Sequence, residues 1–340
     1  MTDAPVMHPT GGTPFVAAVV QHAPVFLNLA ASLDRACVLT AEAVAQGAEI
    51  VAFPETWLPG YPVWLDVAPG AGLWDHPPAK ALYRVLVENA LVLDSPVTRR
   101  LGQVAREHDV TLVMGAHERV ANTLYNSILY FPCDGGEPTV HRKLVPTYTE
   151  RLLWGRGDGS TLRTLATPHG PVGGLVCWEH WMPLARAAMH DLGETVHVAQ
   201  WPYVKELHQI ASRHYAFEGQ CFVLAAGAVL SRDEMLAGVR SLGDAACDAL
   251  PLLESVPQEA ERLLRGGSAI IAPDTSYLAG PLYDEAGILY AELDPACITE
   301  GHMALDTSGH YARPDVFHLS IDTRPQTRVT WTPQPPRDRG

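Results

Sequence analysis

The stretch Pro171-Val-Gly-Gly-Leu-Val-Cys177-Trp-Glu-His-Trp-Met-Pro183-Leu-Ala-Arg186 constrains this chain more than any other. Val172 to Val176 is a short apolar run broken by Gly173 and Gly174, the pattern of a buried strand. Met182 to His190 then reads as a helix, with Pro183 suited to its first turn and Gly193 to its stop. Cys177 is thereby expected where a strand ends and a turn leads into a helix. A side chain at such a junction projects into the crevice where open α/β sheets bind ligands. A nearby helix N-terminus and a cation would favour its thiolate, the form that attacks carbon. The alternative is one more buried apolar cysteine.

Two distant segments bear on that choice. They are Val51-Ala-Phe-Pro-Glu55-Thr-Trp-Leu-Pro-Gly-Tyr-Pro62 and His141-Arg-Lys143-Leu-Val-Pro-Thr-Tyr-Thr-Glu150-Arg. Glu49 to Phe53 reads as a strand that Pro54 must end, since proline cannot donate to a central ladder. Leu124 to Phe131 and Thr139 to Lys143 flank Asp134-Gly135-Gly136, a hairpin signal. Three strand ends are therefore expected to deliver an acid, a cation and a thiol. Together with Cys177-Trp-Glu-His, these segments closely resemble the nitrilase superfamily, and within it the nitrilase branch. The resemblance runs from about Phe15 to about Thr323, and His310-Tyr-Ala-Arg-Pro-Asp-Val-Phe317 shares it. It implies Glu55 as general base, Lys143 as catalytic cation, Glu150 as a second glutamate and Cys177 as nucleophile. It also implies an α-β-β-α four-layer sandwich, two sheets face to face with helices outside.

Composition narrows the partners. The 340 residues are 47% hydrophobic and 18% charged, globular material with an ample core. A formal net charge of -14 argues against nucleic acid, whose phosphates would be repelled. Cysteines 37, 133, 177, 221, 247 and 297 lie far apart without a CxxC pair, which suits reduced thiols in a cytoplasmic protein. The N-terminus lacks the basic and apolar parts of a signal peptide. No apolar run approaches the roughly 20 residues that span a bilayer, so no membrane partner is expected.

In chain order, residues 1–13 are expected as a disordered lead-in, 14–324 as a single domain and 325–340 as a mobile tail. Phe15 to Val20 is a first strand. Leu33, Ala36, Cys37, Thr40 and Val44 share one helical face. Residues 59–78, with Tyr61, Trp64 and Trp74, read as a long loop over the site mouth. Helices are expected over Ala79–Leu91, from Ser95 and Pro96 onward, and over Arg213–Gln220. Val110–Met114, Thr195–Gln200, Cys221–Val229, Ser268–Ala272 and Ile288–Leu293 read as strands. Trp154-Gly-Arg-Gly-Asp-Gly-Ser160 is glycine-rich but lacks a GK[ST] ending, so it reads as a connecting loop. Residues 231–266 turn charged and alanine-rich; the resemblance makes them an insertion at a possible subunit contact, the plain alternative being a solvated helix pair.

Such residues permit hydrolysis of an organic nitrile to its acid and ammonia through a covalent thioimidate and thioester, with no metal and no cofactor. Glu150 could equally orient Lys143 through a charge-assisted hydrogen bond. Tyr61, Trp178 and Trp201 are expected to line the substrate pocket. Glu179 and His180 are expected to shape the turn after the nucleophile. An amidase or a cyanide hydratase or dihydratase of the same superfamily would use the same set. A non-catalytic binding or filament-forming protein is the alternative of a different class. Family likeness further implies self-association to a homodimer or a larger spiral.

Overall fold

The computed structural model describes residues 12–260, 262–327 and 329. The lead-in expected at 1–13 and the tail expected at 325–340 fall mostly outside the described residues. Six strands build a first sheet: β1 (Phe15–Gln21), β2 (Ala48–Ala52), β3 (Thr111–Val120), β4 (Thr123–Phe131), β5 (Thr139–Arg142) and β13 (Gly287–Leu293). Their spatial order is β13-β1-β2-β3-β4-β5. A second sheet holds β6 (Leu165–Thr167), β7 (Gly170–Val176), β8 (Val196–Gln200), β9 (Phe222–Ala226), β10 (Val229–Ser231), β11 (Arg262–Ile271) and β12 (Tyr277–Tyr283). Its order is β10-β11-β9-β8-β7-β6, with β12 on β11. β1–β2–β3 and β7–β8–β9 run parallel, and the remaining pairs are antiparallel.

The layering follows from strand alternation. Ala17 and Val19 face the second sheet, where they meet Val176, Val198 and Leu224 in one core. Their neighbours Ala18 and Val20 face outward onto α1 (Leu29–Ala45) and α4 (Pro96–Glu107), together with Leu39 and Leu101. α5 (Pro183–Asp191) and α6 (Glu206–Gly219) cover the other sheet through Met189, Ala211 and Tyr215. Each of the valines, leucines and Met189 among them contributes about 1.5–3 kcal/mol on burial. The α-β-β-α order expected above is the order found. Ser95 caps α4 by accepting from Thr98 N, which adds about 1 kcal/mol.

Several element boundaries differ from expectation. α2 (Trp64–Val67) interrupts the loop 59–78, and its Trp64 is buried against Phe26, whereas Trp74 is almost fully exposed. α3 spans Pro77–Glu88. α6 begins at Glu206 rather than Arg213, because its first turns bury polar His208, Gln209 and Ser212 and leave Leu207 and Ile210 outside. β12 escaped the sequence reading because it is half exposed, shows no clean alternation and contains Pro281. The apolar run 221–229 is divided into β9 and β10. α9 (Ala296–Gly301) was unforeseen. Segment 231–266 holds α7 (Arg232–Arg240), a 3-10 turn, α8 (Leu250–Glu254) and the start of β11. It is not a solvated helix pair: Met235, Leu236, Val239 and Leu253 pack with Phe26, Leu82 and Leu86.

Candidate functional site

Three turns, each just past a strand, carry the expected residues to one place. Beyond β2, Phe53 N still pairs with Val113 O before Pro54 ends the ladder. Glu55 follows, then Thr56 in the left-handed region at φ 44°. Leu58 N donates to Gly115 O, and His117 N returns a bond to Leu58 O. This clasp needs glycine at 115, where a Cβ would lie 2.0 Å from Pro54 O. Lys143 leaves β5 with its N–H on Asn126 O, and its own carbonyl accepts from Gly157 N. Cys177 follows β7 at φ 54° and opens a 3-10 turn, Cys177–Trp181. Glu179 ties the last two turns together, accepting from Val176 N and Leu144 N at 2.7 Å each and facing His141 Nε2 at 3.0 Å. A non-glycine left-handed residue costs on the order of 1–2 kcal/mol. Thr56, Tyr148 (φ 44°) and Cys177 place that strain in all three turns.

The side chains interlock. Lys143 Nζ donates to Glu55 Oε1 at 3.1 Å and to Glu150 Oε2 at 2.6 Å. Asn126 Nδ2 also donates to Glu55 Oε1, at 2.6 Å. Glu150 sits in the 3-10 turn Tyr148–Leu152 and accepts from Thr147 N at 2.6 Å and from the Tyr61 hydroxyl at 3.0 Å. Glu55, Glu150 and Cys177 bring one carboxylate oxygen each and the sulfur within 4.8 Å of one another. Glu55 Oε2 is buried without a hydrogen-bond partner. It is therefore the oxygen free to exchange a proton with something placed beside it.

Charge in this cluster is scarce and shared. Burial pushes the Glu55 carboxyl up to about 7, outweighing the pull of Lys143, with Glu150 adding repulsion. Lys143 holds its proton more firmly than an ordinary lysine: burial opposes the charge, but Glu55, Cys177 and Glu150 surround it. The Cys177 thiol is raised well above its usual value by burial, then by Glu55, against the lowering effect of Lys143. The thiolate expected from the sequence is therefore not the resting form. α5 begins only at Pro183, after the 3-10 turn, so its N-terminus does not abut the sulfur. The thiol keeps its proton until a base takes it. A hydrogen bond from Trp178 N–H would help hold the resulting charge. The carboxylates and thiol are also a possible metal donor set, but the Lys143 ammonium already lies between the two carboxylates.

A cavity of about 480 Å³ opens over these residues, lined among others by Tyr61, Glu150, Cys177, Trp178 and Tyr203. Tyr61 and Trp178 line this cavity. Trp201 does not: it is fully buried beneath the turn, stacked on His180 and His208, with its indole N–H on Ser212 Oγ. The pairing of β8 turns that ring inward. Asn126 was missed, although a polar residue inside the apolar run 124–131 was a usable signal.

Among the described residues, no helix is long and apolar enough to cross a membrane. The carbon-nitrogen hydrolase family model matches residues 16–302. A nitrilase of Pseudomonas syringae pv. syringae is 41% identical to this chain over 95% of it and 94% of the relative. An aliphatic nitrilase of Sinorhizobium fredii is 39% identical over 93% of this chain and 98% of the relative. The crystal structure of a carbon-nitrogen hydrolase from Helicobacter pylori G27 superposes with a TM-score of 0.66 at 20% identity, covering 89% of this chain and 96% of that one. The strand-end site, the two-sheet fold and a family match over most of its length agree, and the chain belongs to the carbon-nitrogen hydrolases.

Proposed function

We propose that this protein is a nitrilase, converting an organic nitrile and two waters into a carboxylic acid and ammonia. The observation that carries the reading is the meeting of Glu55, Lys143, Glu150 and Cys177 in one buried cluster, of which Glu150 and Cys177 line the cavity, in a chain about 40% identical to proteins named nitrilases. Glu55 takes the thiol proton as Cys177 Sγ bonds to the nitrile carbon, and passes it to nitrogen, giving a thioimidate. Lys143 and the Trp178 N–H stabilise the developing anion. Water, activated by Glu55, adds to the thioimidate; the protonated nitrogen then leaves as ammonia and a thioester remains. A second water releases the acid and restores the thiol. Glu150, fixed by Tyr61, Thr147 and Lys143, orients the ammonium. Tyr61 and Trp178 line the substrate pocket.

The test is a nitrile panel scored for ammonia, acid and amide, with Cys177→Ala as control. Acid as the main product, absent in Cys177→Ala, is expected. Amide alone from every nitrile would make this a hydratase, and turnover of amides but of no nitrile an amidase.

Self-association belongs to the same proposal. Leu184, Leu207, Ile210 and Phe217 on α5 and α6 are exposed, as are Met303, Tyr311, Val316 and Phe317 further on. The outer face of 231–266 carries Asp233, Glu234, Asp244 and Asp248, so a contact there would be polar. Light scattering at a single-chain mass would overturn it. Six free cysteines suit a reducing cytoplasm.

A further inference from the structure

A second buried ionisable cluster lies behind the Cys177 turn, and the chemistry above makes no use of it. His180 Nδ1 is 2.7 Å from Cys177 O, and His180 Nε2 is 3.0 Å from His197 Nε2. His197 Nδ1 is 2.9 Å from Glu194 Oε1. The Tyr215 hydroxyl donates to Glu194 Oε2 at 2.5 Å. All four side chains are at most 2% exposed.

The directions of these bonds are not free. A carbonyl oxygen only accepts, so His180 must carry its hydrogen on Nδ1. Neutral His180 then offers a lone pair at Nε2, and His197 must donate from its own Nε2. Neutral His197 in turn offers a lone pair at Nδ1, which only a hydrogen on Glu194 can satisfy. We propose that Glu194 works as a protonated carboxylic acid which, through His197 and His180, positions the Cys177 carbonyl and hence the nucleophile's turn. Glu194 and the two histidines are positioning residues; none touches the cavity floor.

Independent observations agree. Burial pushes the Glu194 carboxyl up to about 8, with the Tyr215 hydrogen bond and the charges of His190 and His141 pulling the other way. Burial, reinforced by neighbouring histidines, holds both His180 and His197 well below the usual imidazole value, so each is neutral. Facing Glu194 are His197 from β8, Tyr215 from α6, His190 from α5, Tyr130 from β4, His141 from β5 and Cys221 just before β9. No lysine or arginine is among them. Gly173 of β7 makes room for the carboxyl: a Cβ there would lie 2.0 Å from Glu194 Oε1. Losing the Glu194 proton leaves two lone pairs facing each other somewhere along the rod, and the turn loses its anchor.

This inference rests on Cys177 as the nucleophile, and its test has one arm that ignores turnover. In ¹⁵N NMR of the whole protein near neutral pH, His180 should be the Nδ1–H tautomer and His197 the Nε2–H tautomer. The opposite tautomers, or an imidazolium at either, would overturn the proposal even if the enzyme hydrolyses nitriles. In kinetics, wild-type kcat should fall as pH rises through about 8. Glu194→Ala should lower kcat about tenfold with little change in KM. Glu194→Gln, whose amide N–H can donate to His197 and whose oxygen accepts from Tyr215, should restore kcat and abolish the decline near 8. A decline that persists unchanged in Glu194→Gln, or its absence from wild type, sinks the idea.

Discussion

Cys177 stands between two buried clusters that treat charge in opposite ways. On the cavity side, Glu55, Glu150 and the thiol surround Lys143, and one ammonium serves three acidic groups. On the far side, Glu194, His197, His180 and Tyr215 are as deeply buried, and the Arg186 guanidinium meets only the His180 backbone carbonyl, at 3.0 Å. The first cluster keeps charge in the interior because a cation accompanies it. The second sheds its charge and becomes a fixed string of neutral hydrogen bonds. Burial alone therefore does not decide protonation. A partner cation opposes its effect, and the chain has placed the chemistry on the side that has one.

Removing the cation should break that contrast most severely. Lys143→Ala leaves Glu55 and Glu150 buried without a counter-charge, a loss on the order of 3–5 kcal/mol in stability and at least roughly 10³-fold in kcat. Stopped assays with a folding check by circular dichroism would read both, and an unchanged kcat with raised KM would make Lys143 a binding residue. Next comes Glu55→Gln, which keeps the contact with Lys143 but cannot take a proton. In wild type, kcat/KM should rise with pH through about 7 as Glu55 ionises; the variant should lose at least about 10²-fold and that rise with it. A retained rise near 7 would assign the base elsewhere.

Gly173→Ala attacks the neutral side, driving a methyl into the Glu194 carboxyl and against Met189 Cε. Overpacking of this kind costs about 1–3 kcal/mol. A lowered thermal midpoint is expected with Lys143, Glu55 and Glu150 undisturbed; an unchanged midpoint would mean that the carboxyl has room to move. Smallest is Glu194→Gln in thermal denaturation. A carboxyl raised from 4.5 to about 8 in the fold gives stability that is full below about 4.5 and lost progressively up to about 8. The midpoint difference between variant and wild type should therefore grow in the variant's favour from pH 5 to pH 8.5. A constant difference would show that Glu194 titrates alike in both states.

The charged cluster is legible in the sequence and the neutral one is not. Glu55 after Phe53-Pro54, Lys143 closing a hairpin and Cys177 after a glycine-broken apolar run are strand ends that proline, turn chemistry and periodicity mark from local residues. Glu194 and His197 belong to the same strand approach, but their link to His180 spans 17 positions and depends on β7 and β8 lying side by side. Trp201 shows the same limit: the sequence supplies an aromatic ring near the site, and only the pairing of β8 decides which face it takes. The thiol, not the thiolate, is the resting form of Cys177, and local sequence misses this because it names the cation but not the burial that opposes a charged sulfur. Half-exposed β12 and the polar inner face of early α6 carry little periodic signal at all.

Glu55 and Glu150 share the one Lys143 ammonium, so with both carboxyls ionised the cluster carries a net negative charge. A nitrile arrives there without charge. The acid it becomes is an anion at neutral pH, and two like charges 4 Å apart repel by about 4 kcal/mol at an effective dielectric of 20. The groups that assist the reaction thus expel what it makes. For an enzyme of this kind, departure of the product is built into the same residues as its formation, and accumulated acid competes poorly with fresh substrate for the floor of the cavity.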